Sequence, residues 1–203
     1  VAAEQDNLRA ALRWAISHDA VEAALRIATG IWRFWWQRGS LREGSDWLET
    51  ALARRDESSL AIQTKALRAV GVLAMGLNEY ERARQHLEQA LEVARRCGEM
   101  YDCAAAMTNL GLLLREQGDF QAACVYLEQA IILNGRTADP RTVKFPMIIL
   151  AELHARLGNI AQAGTLYEEC LRLNRDIGDA EGTANALYGI GLVAHARDEQ
   201  EIA

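Results

Sequence analysis

The sequence predicts an all-α protein built from repeated antiparallel helix pairs, and three observations carry that prediction. Helix formers such as Ala, Leu, Glu and Arg are abundant across the 203 residues, and the two prolines, Pro140 and Pro146, lie close together. Small residues recur every 40 positions, at Gly71, Gly111, Ala151 and Gly191. Apolar residues surround them at helical spacing. With units starting at Thr64, Ala104, Lys144 and Ala184, position 4 is Leu67, Met107, Met147 and Leu187, and position 7 is Val70, Leu110, Leu150 and Ile190. Positions 4, 7, 8 and 11 share one face of a helix.

In chain order, Asp6 to Ser17 is expected to form a leading helix, with Asp6 or Asn7 as cap and Leu8, Ala11, Leu12 and Ala15 on one face. Residues 1–24 hold this helix and a linker. Residues 25–63 form a divergent first repeat, in which Ile31, Trp35, Gly39, Leu41, Gly44, Leu48 and Ala51 occupy the repeat positions one residue out of register. Residues 64–103, 104–143 and 144–183 are repeats two to four, and 184–203 a truncated fifth. The second helix of each unit has Tyr80, Phe120 and Ile160 at position 17, then Ala83, Ala123 and Ala163 at position 20. Leu87, Leu127 and Tyr167 follow at position 24, with Ala90, Ala130 and Cys170 at position 27. Between the helices, Asn78-Glu79, Gly118-Asp119, Gly158-Asn159 and Asp198-Glu199 read as tight turns, because Gly or Asn closes a helix in the left-handed conformation and an acidic or amide residue opens the next. Pro146 inside the fourth unit removes a backbone donor, so that helix either starts late, near Lys144, or kinks. The chain opens with Val1 rather than Met and stops at Ala203 inside the second helix of the fifth unit; a piece of a longer protein is the expectation.

Two antiparallel helices approach closely only where the facing side chains are small, which accounts for Gly or Ala at positions 8, 20 and 27. This pattern resembles the tetratricopeptide repeat. The third unit, Met107-x-x-Leu110-Gly111-x-x-Leu114-x-x-x-Gly118-Asp119-Phe120-x-x-Ala123-x-x-x-Leu127-x-x-Ala130, is similar to its signature over the whole helix pair. The resemblance implies a right-handed α-α superhelix, a solenoid. Two departures stand: the period is 40 rather than the usual 34, and Arg95, Gly135 and Arg175 replace the proline often found near the unit's end. HEAT-like helical pairs share a period near 40 but do not call for Gly or Ala at these positions.

Charge and composition exclude several function classes. The net charge of −6 argues against nucleic acid as a partner of this segment, because phosphate binding needs a concentrated positive face. That average hides an asymmetry: residues 1–97 carry 14 Lys/Arg against 13 Asp/Glu, and residues 98–203 carry 8 against 15. The longest uncharged stretch, Gly182 to Ala196, is too short and too polar to span a bilayer, so no membrane partner is expected. Cys97, Cys103, Cys124 and Cys170 show no metal or redox spacing, which points to a reduced, cytoplasmic protein using Cys as a small apolar residue. No phosphate loop, G-x-S-x-G or H-E-x-x-H occurs, and His18, His86, His154 and His195 fall at unrelated repeat positions. Neither an enzyme, nor a metal site, nor a cofactor is expected.

All five tryptophans, Trp14, Trp32, Trp35, Trp36 and Trp47, lie in the first 47 residues. Trp32, Trp35 and Trp36 cannot all face one way on a helix, so at least one should be partly exposed; the cluster is either junction core or a docking surface. This segment carries a second resemblance. Glu4-x-Asp6-Asn7-Leu8-Arg9-Ala10-Ala11-Leu12-x-Trp14, then Trp32-x-Phe34-Trp35-x-x-Arg38-Gly39-x-x-x-Glu43-Gly44-x-x-Trp47-Leu48-x-x-Ala51-Leu52, is similar to the junction in bacterial STAND signalling ATPases. In those proteins an NB-ARC-type nucleotide-binding domain and a winged helix precede a tetratricopeptide sensor. That resemblance implies a non-catalytic sensor array, part of a larger signalling ATPase or transcriptional regulator. It would bind a protein or peptide ligand and the neighbouring domains of its parent chain. A free-standing adaptor is the alternative. In arrays of this kind the first helix of each repeat lines a groove through positions 2, 5, 9 and 12. The candidate groove residues are Arg26, Arg33, Trp36, Lys65, Arg68, Met75, Thr108, Leu112, Arg115 and Tyr188. The groove is thus expected to be basic at its N-terminal end and more apolar further on, suited to a peptide with an acidic end.

Overall fold

A computed structural model describes residues 2–54, 58–136 and 139–202, without the side chains of 2–4, 140 and 199–202. Val1 and Ala203 lie outside the described residues. The chain is all-α, with no strand among those residues: α1 (Ala2–Ser17), α2 (Val21–Arg38), α3 (Leu41–Leu52), α4 (Leu60–Gly76), α5 (Tyr80–Cys97), α6 (Met100–Glu116), α7 (Phe120–Asn134), α8 (Lys144–Arg156), α9 (Ile160–Asp176) and α10 (Ala180–Ile202). They group into two compact units, Val1–Leu113 and Leu114–Ala203.

Helix starts reveal how the repeat is built. α2, α4, α6 and α10 each begin one turn before the boundary read from the sequence, at Val21, Leu60, Met100 and Ala180. α8 does not, and proline is the reason. Residues Pro140–Val143 form a 3-10 helix opened by Asp139, whose side chain accepts from the Arg141 backbone N–H, and the α-helix starts at Lys144. Pro146 then sits in the first turn, where a missing N–H costs no hydrogen bond. The late start is therefore the version of the expectation that the structure adopts.

Three of the expected turns form. Asn78, Gly118 and Gly158 take φ of 60°, 82° and 79°, the left-handed conformation that reverses the chain between paired helices. The fourth does not: α10 runs without a break through Asp198-Glu199 to Ile202. The flanking Ala196, Arg197 and Gln200 are good helix formers that favour continuing the helix. Another expectation is also corrected. α1 begins at Ala2, so Asp6 and Asn7 lie within the helix rather than at its cap, and Asp6 pairs with Arg9 one turn on, at 3.4 Å.

Within the first unit α1 packs on α2 and α3, α2 on α3 and α4, and α4 on α3 and α5. The close approach of α4 and α5 is made at Gly71. A Cβ there would lie 2.6 Å from Leu87 Cγ, and both residues are buried. Gly44 plays the same part for α3, its Cα facing the buried ring of Trp35. In the second unit, α9 packs on α8 and α10. Ala151, Ala163, Tyr167 and Val193 form one core cluster, Val143, Met147, Cys170 and Ala186 another. Burial pushes the Cys170 thiol up to about 12 and the Tyr167 hydroxyl likewise to about 12, in keeping with core roles for both.

Charged side chains tie the first unit together beyond its core. Arg9 on α1 donates to Glu43 on α3 at 2.8 Å. Arg42 on α3 pairs with Glu79 at the start of α5, and Arg82 on α5 reaches back to Glu79, to Glu49 at 2.6 Å and to the Ser45 hydroxyl at 3.0 Å. Burial pushes Glu49 up, but hydrogen bonds from Arg82 and His86 outweigh it and hold it below the usual carboxylate range. Arg42 and then Arg82 hold Glu79 low as well.

Two predictions follow from these contacts. Gly71→Ala should lower the unfolding free energy by about 1–3 kcal/mol through overpacking against Leu87. Gly30→Ala, where an added Cβ meets nothing within 4 Å, should instead raise it by up to ~1 kcal/mol through helix propensity. Urea unfolding of both variants checks the pair, and a shift of the same sign in both would remove the packing account. The second concerns pH. Carboxylates whose folded pKa is depressed contribute stability that is fully present above their unfolded value and is lost as pH falls through the folded one. Arg82→Met should therefore cost roughly 1–2 kcal/mol at pH 7, and its difference from the parent should narrow as pH falls below the ordinary glutamate value of 4.5. Urea titrations at pH 7 and pH 3 measure it; a constant gap would mean that Arg82 acts by packing alone.

Candidate functional site

In the first unit the sequence-derived groove residues lie on α2, α4 and α6, and their surroundings divide them into two kinds. Arg26, Arg68 and Thr108 are committed to the protein itself. Arg26 is exposed but donates to Glu22 one turn back at 2.7 Å, and the second oxygen of Glu22 accepts the Ser59 backbone N–H that opens α4, also at 2.7 Å. Arg68 pairs through Nη1 with Asp102 Oδ1 at 3.1 Å, with only 22% of its side chain and 9% of Asp102's exposed. Thr108 is buried, and its hydroxyl donates to the Ala104 carbonyl at 2.8 Å.

The others face outward. Arg33 is exposed and places its guanidinium 4.9 Å from the Trp32 ring centroid, a cation–π geometry. Lys65 is exposed, and no ion pair joins either Lys65 or Arg33 to a carboxylate among the described residues. Trp36 is 45% exposed, yet its ring also covers the end of α4: a Cβ on Gly76 would come within 2.7 Å of it. Met75 and Leu112 are half-buried. Desolvation by burial lowers the Arg68 guanidinium from its ordinary value, and Arg33, near enough to repel it, adds to that effect against the opposing pull of Asp102 and Tyr101. Of the remaining tryptophans, Trp35 is buried on Gly44 and Trp14 is 59% exposed, stacked on His18.

The second unit presents a different surface. Arg115 is half-buried and held by Glu116 at 2.8 Å and Glu152 at 3.8 Å. Tyr188 is exposed, as are Phe145 on α8 and Leu192 on α10, two helices that touch. Phe145, Tyr188 and Leu192 thus give it exposed apolar groove positions, where the first unit exposes the cations Arg33 and Lys65.

Sequence reasoning did not find the partners of these residues. Asp102, Glu22 and the Glu49–Arg82–Glu79–Arg42 set emerge only when the helices are stacked, although their separations of 33 to 37 residues follow the repeat and offer a signal. No group of three metal-binding side chains occurs among the described residues. Burial pushes the Cys103, Cys124 and Cys170 thiols up, away from the thiolate form that nucleophilic chemistry requires. No described helix is long and apolar enough to cross a membrane. What the exposed cations and rings offer is surface for recognition.

Known proteins give this geometry a context. A relative in Mycobacterium tuberculosis, named as an HTH-type transcriptional regulator, is 30% identical over 116 residues, covering 53% of this chain and 13% of that protein. This chain therefore spans a small part of the length of the curated relatives it matches. Among solved structures, the Pyrococcus horikoshii signal transduction ATPase with numerous domains, which carries a tetratricopeptide repeat sensor, superposes with a TM-score of 0.76 at 14% identity, over 96% of this chain and 32% of that one. A Rap protein complexed with competence and sporulation factor gives a TM-score of 0.71 at 18% identity, over 96% of this chain and 63% of that one. At those identities the likeness is one of fold. The tetratricopeptide repeat profile matches residues 62–131 and 147–203, more than half of the sequence. The chain belongs to the tetratricopeptide repeat family.

Proposed function

We propose that this array is the sensor region of a larger signalling ATPase or transcriptional regulator, binding a protein or peptide ligand on the α2–α4 face of its first unit. The family is one of helical binding scaffolds, and the proposal goes further by assigning the ligand to that face. The observation that carries it is the outward set of Arg33 and Trp36 on α2 and Lys65 on α4: two exposed cations that no ion pair joins to a carboxylate among the described residues, and a ring with nearly half its surface exposed. Trp and Arg are the side chains most often found to anchor an interface, and unpaired positive charge selects an acidic partner. The HTH-type regulator name of the mycobacterial relatives and the sensor role of the repeats in the Pyrococcus ATPase support the parent-protein part of this reading. The complex of the Rap protein with competence and sporulation factor supports an array that binds a ligand.

The test begins with a partner captured on the 203-residue chain and then titrated against variants. Reversing Arg33→Glu and Lys65→Glu together should weaken binding roughly tenfold or more and flatten its salt dependence. Glu88→Lys, on the exposed side of α5, is the matched control and should change affinity by less than about twofold. Equal losses in both would reduce the effect to net charge and remove the face assignment. An upstream phosphate loop in the parent chain would support the regulator over the free-standing adaptor.

A further inference from the structure

A second surface, independent of the α2–α4 face, lies on α10, and we infer that it binds α10 of a second copy of this chain, antiparallel and about a two-fold axis. The repeat defines this face. On α4 and α8 the pairing positions are buried under the helix that follows: Leu67, Gly71 and Ala74 under α5, and Met147 and Ala151 under α9. The same positions of α10 are Leu187, Gly191 and Ala194, and all three are exposed, Leu187 by 47%. A Cβ at Gly191 meets nothing within 4 Å, where one at Gly71 would strike Leu87. α10 runs on through Asp198 without turning, so it does not fold back over this face.

The face is complementary to itself. Ala184, Tyr188, Gly191 and His195 follow one another at spacings of 4, 3 and 4, the seam of a two-helix contact, and all four are exposed. With the two-fold axis between Gly189 and Ile190, Tyr188 meets Gly191 of the second copy and Ala184 meets its His195, so each layer sets a large residue against a small one. The chain already makes such a contact internally: the ring of Tyr167 lies so close to Gly189 that a Cβ there would come within 2.2 Å of it. Leu187 and Leu192, each about half exposed, flank the seam and extend its apolar surface. No charged residue stands between Gly182 and Ala196. Two copies therefore meet along this length without opposing like charges, whereas a strongly charged partner would find nothing to pair with.

The experiment is sedimentation equilibrium of the 203-residue chain from about 5 µM to about 500 µM. The weight-average mass should climb towards twice that of one chain and fit a single monomer–dimer equilibrium. Gly191→Glu puts a charge into the seam at a position that is open in the single chain, and it should weaken association about tenfold or more while the helical circular dichroism and the thermal midpoint are kept. Tyr188→Ala, which removes a largely exposed ring, should weaken it about fivefold or more. Gly30→Glu is the matched control, since Gly30 is exposed on α2 and equally open around its Cα; it should change association by less than about twofold. A chain that stays monomeric throughout overturns the second copy and leaves the face to a helix from another source. A dimer that both glutamates weaken equally, or that neither weakens, overturns α10 as its seat. None of these outcomes bears on the α2–α4 face, which stands or falls with reversal of Arg33 and Lys65 against the captured partner.

Discussion

Close contact between paired helices is the constraint on which the structure depends. Where α4 meets α5, Leu87 occupies the space that a side chain on Gly71 would fill. Where α9 meets α10, the ring of Tyr167 lies against Gly189 in the same way. Each large residue is placed by the absence of another, so the pair is specified by shape rather than by hydrogen bonds between helices. Once the backbones are that close, the side chains flanking the contact have no freedom to splay, and the outer faces of the helices take up fixed directions.

Charge is arranged on top of that packing in two ways. Arg9, Arg42, Arg82 and Lys144 each join helices that are not consecutive in the chain. Lys144 reaches Asp179 at the start of α10, where the same carboxylate also accepts the Gly182 backbone N–H at 2.9 Å, so one acidic residue caps a helix and anchors a neighbour. Among the described residues, Arg33 and Lys65 take no part in such pairing. The contrast separates cations that hold helices in place from cations available to a partner, a distinction that composition alone does not make because each kind includes both arginine and lysine.

Much of the fold was legible in the sequence because small residues at fixed spacing have a single physical cause. Pro146, which lacks a backbone donor, left a late start or a kink of α8 open, and the helix starts late. The failures have causes too. Asp198-Glu199 matched the turn position but is flanked by good helix formers, Ala196, Arg197 and Gln200, and the helix continued. Helix starts fell one turn early because a periodic pattern defines the repeat length but not where within it the helix begins. The candidate site was legible as a list of outward positions, and Thr108 and Arg68 show the weakness of such a list. Both lie at groove positions, yet burial of one and the ion pair of the other depend on what the next helix brings, which periodicity does not encode.

The distribution of tryptophan has a spectroscopic consequence. All five indoles lie within the first unit, with Trp35 buried and Trp14 and Trp36 exposed, while the aromatic residues of the second unit are tyrosines and phenylalanines. Intrinsic fluorescence excited at the red edge of the tryptophan band is therefore blind to the second unit, whereas far-ultraviolet circular dichroism weighs the helices of both. If the two signals are followed together during unfolding, coincident transitions mean that the repeats melt as one cooperative block. A fluorescence change displaced from the dichroism change means that they melt in sequence.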